Sequence, residues 1–192
     1  MKGIAVATRS AITGTLLSVA AVSAQAGGTL DFSLANESVR LAYDATQADS
    51  GLHINLSGLH DMDDGDLLGA GLHVVDLKNR NKNLYFGVGG KAFLFDTDID
   101  AQGGAVGVGG FFRANLPTHP DFSLAGYAYY APKVVSFGDA ESLLSTDIRA
   151  QYAVIPTARV YMGYRYNGVR LEDVSDRYEL GEGVHFGVTL DF

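Results

Sequence analysis

The chain has 192 residues and a formal net charge of −8, an acidity that excludes nucleic acid as a partner, because phosphate binding rests on clustered Lys and Arg. Cysteine is absent, so no disulfide framework can form. The 24 Gly, ten Tyr and ten Phe, with no Trp and only 4 Pro, suit one all-β domain rich in aromatics and tight packing.

Residues 1–26 carry Lys2 and Arg9, an apolar run over 11–22, and then Ser23, Ala24, Gln25 and Ala26. The run is about a dozen residues, too short for the roughly 20 that a helix needs to cross a bilayer. Ala24 and Ala26 supply the small residues of a cleavage site. The pattern predicts a signal peptide over 1–26, removed to leave residues 27–192 as the mature chain.

Ten runs of alternating polarity follow, at about 28–35, 38–46, 51–60, 66–76, 83–96, 102–115, 121–131, 143–155, 158–170 and 182–192. Successive side chains of a strand point to opposite faces, so each run has one apolar or small face and one polar face. The eighth run sets Ile148, Ala150, Tyr152 and Val154 against Asp147, Arg149 and Gln151; the ninth sets Val160, Met162, Tyr164 and Tyr166 against Arg159, Tyr161, Arg165 and Asn167. Outside the leader no stretch of helical spanning length remains, so the mature chain is either a soluble sandwich or a barrel that crosses a membrane with strands.

The polar face favours the barrel. It mixes Arg40, Lys91, Arg113, Arg149, Arg165, His185 and Asp191 with Gly69, Gly71, Gly87, Gly89, Gly107 and Gly109. On a solvated sheet such glycines are costly, whereas in a narrow lumen they make room for neighbours such as Tyr85 and Phe111. The connections alternate too: short turns with three of the four prolines on one side, and longer, mostly acidic loops at 60–66, 96–101, 131–142 and 171–181 on the other. Short periplasmic turns and longer external loops are the outer-membrane arrangement. The expected fold is an all-β, small antiparallel transmembrane β-barrel of about ten strands, or eight if the two short first runs lie outside the wall.

The last run places Val184, Phe186, Val188, Leu190 and Phe192 on one wholly apolar face, alternating with His185, Gly187, Thr189 and Asp191. It resembles the C-terminal sorting strand of bacterial outer-membrane barrels, which implies delivery by the barrel assembly machinery. Several internal segments resemble the YfaZ family of Gram-negative outer-membrane proteins: the turn from His60 to Asp66, Gly71-Leu72-His73-Val74, Gly87-Val88-Gly89-Gly90-Lys91, the stretch from Tyr127 to Pro132, and Gly163-Tyr164-Arg165-Tyr166. The resemblance implies a bacterial outer-membrane barrel and offers no substrate.

Candidate chemistry is sparse. Asp61, Asp63, Asp64 and Asp66 crowd one turn, but an EF-hand loop needs a Glu at its twelfth position and Leu72 stands there. They are weak metal candidates beside the plainer reading as a solvated anionic rim that meets lipopolysaccharide through divalent cations. His60 beside them is the least poor candidate for a lipid-modifying enzyme, although no nucleophile signature accompanies it. The inward Arg, Lys, Asp and Tyr residues either pair and fill the lumen or line a narrow solute path. The expectation is a structural or surface-interaction barrel in outer-membrane lipid, without catalysis, cofactor or nucleic acid, with a narrow channel as the alternative.

Overall fold

The computed structural model describes residues 28–47, 50–75, 83–172 and 176–192. The segment 1–26 and most of the turn at 77–83 lie outside the described residues.

Twelve strands follow one another: β1 (Gly28–Leu34), β2 (Ser38–Thr46), β3 (Leu52–Asp61), β4 (Gly65–Val75), β5 (Leu84–Thr97), β6 (Gln102–Leu116), β7 (His119–Ala131), β8 (Ser136–Gly138), β9 (Ala140–Ile155), β10 (Ala158–Leu171), β11 (Arg177–Glu179) and β12 (Gly183–Asp191). Each long strand pairs antiparallel with its neighbours, and β12 pairs with both β1 and β10, so the sheet closes on itself. The wall has ten strands; β8 and β11 are short flaps on β6 and β10. The ten-strand reading therefore holds, and the first two runs are wall strands joined by a tight turn at 35–37 rather than an excluded pair.

Alternation sets the two faces of the wall. Register carries one row across six strands, Leu41, Phe32, Val188, Val160, Tyr152 and Phe122, all outward and all exposed. The inward positions include buried Asp31, Arg40, His53, Asn55, Lys91, Asp147, Arg165 and His185. An apolar outside around a polar inside is the reverse of a soluble sandwich and suits strands bathed in lipid, where a closed ladder leaves no backbone group unpaired.

The inward glycines sit where large side chains arrive. A Cβ on Gly71 would lie 2.7 Å from the His73 ring, and one on Gly87 would lie 2.8 Å from the Phe111 ring. Small residues on β4 and β5 thus give space to neighbouring rings inside the lumen.

The loop end differs from the sequence reading. β3 runs on to Asp61 and β4 starts at Gly65, so the expected loop at 60–66 shrinks to a three-residue turn. Residues 131–142 are not free loop: a 3-10 turn at Lys133–Val135 leads into β8, which pairs back onto β6. Strand pairing continues past the membrane-height alternation because the polar outer residues still satisfy their backbone groups in the ladder.

Candidate functional site

The lumen is the candidate site, and it is layered. At the end that carries Gly28 and Phe192 lies a chamber of about 500 Å³, lined among others by Asp44, His53, Lys91, Arg113, Tyr127 and Asp191. Its carboxylates have partners on neighbouring strands: Asp44 meets His53 Nε2 at 2.9 Å and accepts from Asn55 Nδ2 at 2.8 Å, while Asp191 accepts from Arg159 Nη2 at 2.6 Å and from Thr29 at 2.8 Å. Rings fill the wall between them, with His53 4.4 Å and Tyr85 5.7 Å from Phe111.

The middle layer is ionic and centres on Asp31, 2% exposed. Its carboxylate accepts from Arg40 Nη1 at 2.9 Å, Arg149 Nη1 at 2.7 Å, the Tyr161 hydroxyl at 2.9 Å and Thr189 Oγ1 at 3.0 Å. The Arg149 guanidinium also lies over the Tyr161 ring, 4.6 Å from its centre, and 3.8 Å from Asp147. Asp147 lies 2.9 Å from His185 Nε2. Arg165, 1% exposed, donates to Ser33 Oγ, Ser38 Oγ and the Gly181 carbonyl. Buried charge is costly unless it is hydrogen-bonded or paired, and here the Asp31 carboxylate ties β1 to β2, β9, β10 and β12.

Toward the loop end the same inward face turns apolar. Leu59, Leu67, Phe93, Phe95, Ala105, Leu143, Val169, Leu171 and Leu180 pack into one buried cluster. Leu180 comes from the connection after β11 and is clamped there: its N–H donates to the Asn167 carbonyl, and Asn167 Nδ2 donates to the Leu180 carbonyl. This apolar cluster, the plug, lies on the loop side of the ionic layer.

The outer rim carries the acidic turn. Asp61 points inward and accepts from the backbone N–H of Asp63 and Asp64 at 3.0 and 3.2 Å, capping its own turn. Burial, reinforced by the neighbouring Asp61 charge, raises the Asp64 carboxyl above the usual carboxylate range. Asp66 and His60 form an exposed pair at 2.8 Å. Among the described residues no three acidic or histidine side chains are grouped to hold a metal ion.

The structure thus places Arg40, Lys91, Arg113, Arg149, Arg165, His185 and Asp191 toward the lumen, and Val184, Phe186, Val188, Leu190 and Phe192 outward. It brings Arg40 and Arg149 together on Asp31 but pairs Asp191 with Arg159, a partner that sequence reasoning passed over. Arg113 stacks over Tyr85 at 5.6 Å and Lys91 meets Asn55, and among the described residues neither joins a carboxylate. The apolar plug was also missed, although Leu59, Phe93 and Phe95 continue the inward phase of Asn55 and Lys91.

A family model described as YfaZ precursor matches residues 1–192. The chain belongs to the YfaZ family. A relative, outer membrane protein YfaZ of Escherichia coli strain K12, is 29% identical over 148 residues, which is 74% of this chain and 76% of that protein. Among solved structures, the outer membrane protease OmpT of Escherichia coli shares the fold with a TM-score of 0.56 at 12% identity, over 87% of this chain and 93% of that one. The KdgM porin in complex with disordered oligogalacturonate gives a TM-score of 0.45 at 9% identity, over 86% and 99% of the two chains. This YfaZ-family chain is an outer-membrane β-barrel protein, made as a precursor. In such barrels the short turns are periplasmic, which puts the chamber on the periplasmic side and the plug and acidic turn outside.

Proposed function

We propose that this barrel is a structural and surface-interaction protein of the outer membrane that neither passes solutes nor catalyses a reaction. The observation that carries the reading is the two-layer fill of the lumen, an ionic layer around Asp31 beneath an apolar plug. Ion pairs consume the polar surface that a permeating solute needs, and an apolar constriction excludes water. The competing reading is a narrow channel, favoured only by the chamber at the periplasmic end. Reconstituted into planar bilayers, the purified chain is expected to show no stable conductance steps; reproducible nonzero conductance overturns the closed reading.

The outward role rests on the rim. Asp63, Asp66, Asp96, Asp98 and Asp100 are exposed there, and divalent cations between them and lipopolysaccharide phosphates give the barrel its contact with the outer leaflet. Replacing these five by Asn is expected to weaken magnesium-dependent binding of lipopolysaccharide to the detergent-folded protein severalfold; unchanged binding removes the rim from the account. Among the described residues the exposed His60 and Asp66 pair is the arrangement at the outer rim that favours a lipid-modifying activity. No turnover of phospholipid or lipid A is expected, and turnover abolished by His60→Ala would reverse the non-catalytic reading.

A further inference from the structure

The chamber differs in charge from the molecule around it. The chain carries −8 in all, yet the charged groups lining the chamber are Arg40, Lys91, Arg113 and Arg149 against Asp31, Asp44 and Asp191. All three carboxylates are engaged: Asp31 by Arg40 and Arg149, Asp44 by His53 and Asn55, Asp191 by Arg159 and Thr29. Two cations remain. Among the described residues neither Lys91 nor Arg113 has a carboxylate within ion-pair distance.

Lys91 is only 4% exposed, and among the described residues its Nζ donates to a single neutral acceptor, Asn55 Oδ1, at 2.6 Å. An ammonium has three donors, so two are left beside the chamber, flanked by the rings of Phe93, Tyr127 and Tyr129 at 5.5, 5.8 and 5.7 Å. Arg113 lies near the periplasmic end of β6, its guanidinium over the Tyr85 ring, while Lys91 stands half-way up β5. Between the two cations the wall is aromatic, running from Tyr85 to Phe111 and on to the His73 and Tyr129 rings. A buried cation without a counter-charge is costly, and an oxyanion arriving in the chamber supplies the missing acceptors. The volume of about 500 Å³ falls within the roughly 300–1,000 Å³ of small-molecule pockets, which pair apolar walls with a few placed polar groups.

We propose that the periplasm-facing chamber binds a small oxyanion carried on a ring or other apolar body, with Lys91 meeting the charge, Arg113 near the mouth drawing the anion in, and Tyr85, Phe111 and Tyr127 meeting the body. Carboxylate and phosphate share the required chemistry. The site is a dead end because the plug closes its far side, so this proposal rests on the closed reading for its role as a receptor, though not for binding itself.

Calorimetric titration of the full folded chain in detergent tests it, using benzoate and phenyl phosphate against their neutral counterparts benzamide and phenol. Saturable binding is expected for at least one anion, weakening as salt is raised, and not for either neutral probe; which anion binds separates carboxylate from phosphate. Lys91→Gln is expected to weaken that anion about tenfold or more, as loss of a charge-assisted hydrogen bond does, and Arg113→Gln to weaken it less, because its position near the mouth is better screened by water. Heat-modifiable gel migration checks that each variant has folded. Neutral probes binding as tightly as the anions, no saturable heat from any of the four, or unchanged affinity in both folded variants would each overturn the proposal. If Lys91→Gln does not fold, the preference of the unaltered protein for anion over neutral probe and the Arg113→Gln result still decide. A barrel that conducts and also binds the anions refutes only the closed reading, whereas one that is silent in both experiments refutes only the binding site.

Discussion

Replacing Asp31 with Ala is expected to lower the stability of the folded barrel by roughly 3–5 kcal/mol, the range for removing one partner from a buried ion pair. The size follows from what the carboxylate holds. It accepts from Arg40 at 2.9 Å, Arg149 at 2.7 Å, Tyr161 at 2.9 Å and Thr189 at 3.0 Å, so four groups on four strands converge on one side chain of β1. Without it, Arg40 loses its ion-pair partner among the described residues, and Arg149 is left with Asp147 at 3.8 Å. Two guanidinium groups would then stand together at the edge of the chamber without the carboxylate that now lies between them. Asp31→Asn keeps the shape and some hydrogen bonding, and its loss should fall between that of the Ala variant and none. Asp63→Ala, at an exposed site in the outer turn, serves as the near-neutral control. Urea titration of each variant in lipid vesicles, read by the folded and unfolded bands on an unheated gel, measures the differences. A loss below about 1 kcal/mol for Asp31→Ala would mean that the ionic layer does not hold the wall together as argued from buried-pair energetics.

The wall was legible in the sequence because a period of two fixes which face a side chain occupies, and ten runs kept that period. Alternation tells the face but not the height. Leu59, Phe93 and Phe95 share the inward phase of Asn55 and Lys91, yet they lie nearer the loop end and build an apolar plug in place of a polar lining. That change along one face is invisible to a test that asks only whether positions alternate. Leu180 could not be found by alternation at all, since it enters the cluster from the connection after β11 and owes its place to the backbone pairing with Asn167. Partner choice inside the lumen was equally hidden. Asp31 and Arg149 are far apart in the chain and meet across the barrel only because strand tilt and stagger bring β1 and β9 to the same level. Loop ends were misjudged for a plainer reason: hairpins such as the one between Asp61 and Gly65 continue the ladder with polar residues, and polarity alone reads as loop.

Val188→Arg is expected to cost about 2–4 kcal/mol if Val188 lies near the middle of the membrane, the range for a cation on the lipid face of a barrel at that depth. Val188 stands in register between Phe32 of β1 and Val160 of β10, and all three side chains point outward. An Arg there has only hydrocarbon around it and must stretch along the wall to reach water. One residue further on, Thr189 faces the opposite way, is buried, and lines the chamber. Thr189→Arg forfeits the hydrogen bond to Asp31 and adds a cation beside Arg40 and Arg149, a loss of about 1–2 kcal/mol, but its guanidinium enters the chamber, where Asp191 is within the same lining. The outward change should therefore be the more damaging of two substitutions at adjacent positions. Depth supplies a second axis. Leu190 shares the outward face and lies closer to the periplasmic end of β12, so Leu190→Arg should cost less than Val188→Arg, approaching the 0–1 kcal/mol typical of the interface. Urea unfolding in vesicles gives all three values. A loss at Thr189 equal to or above that at Val188 would mean that the apolar face does not meet lipid; equal losses at Val188 and Leu190 would instead mean that the membrane does not grade the wall along β12.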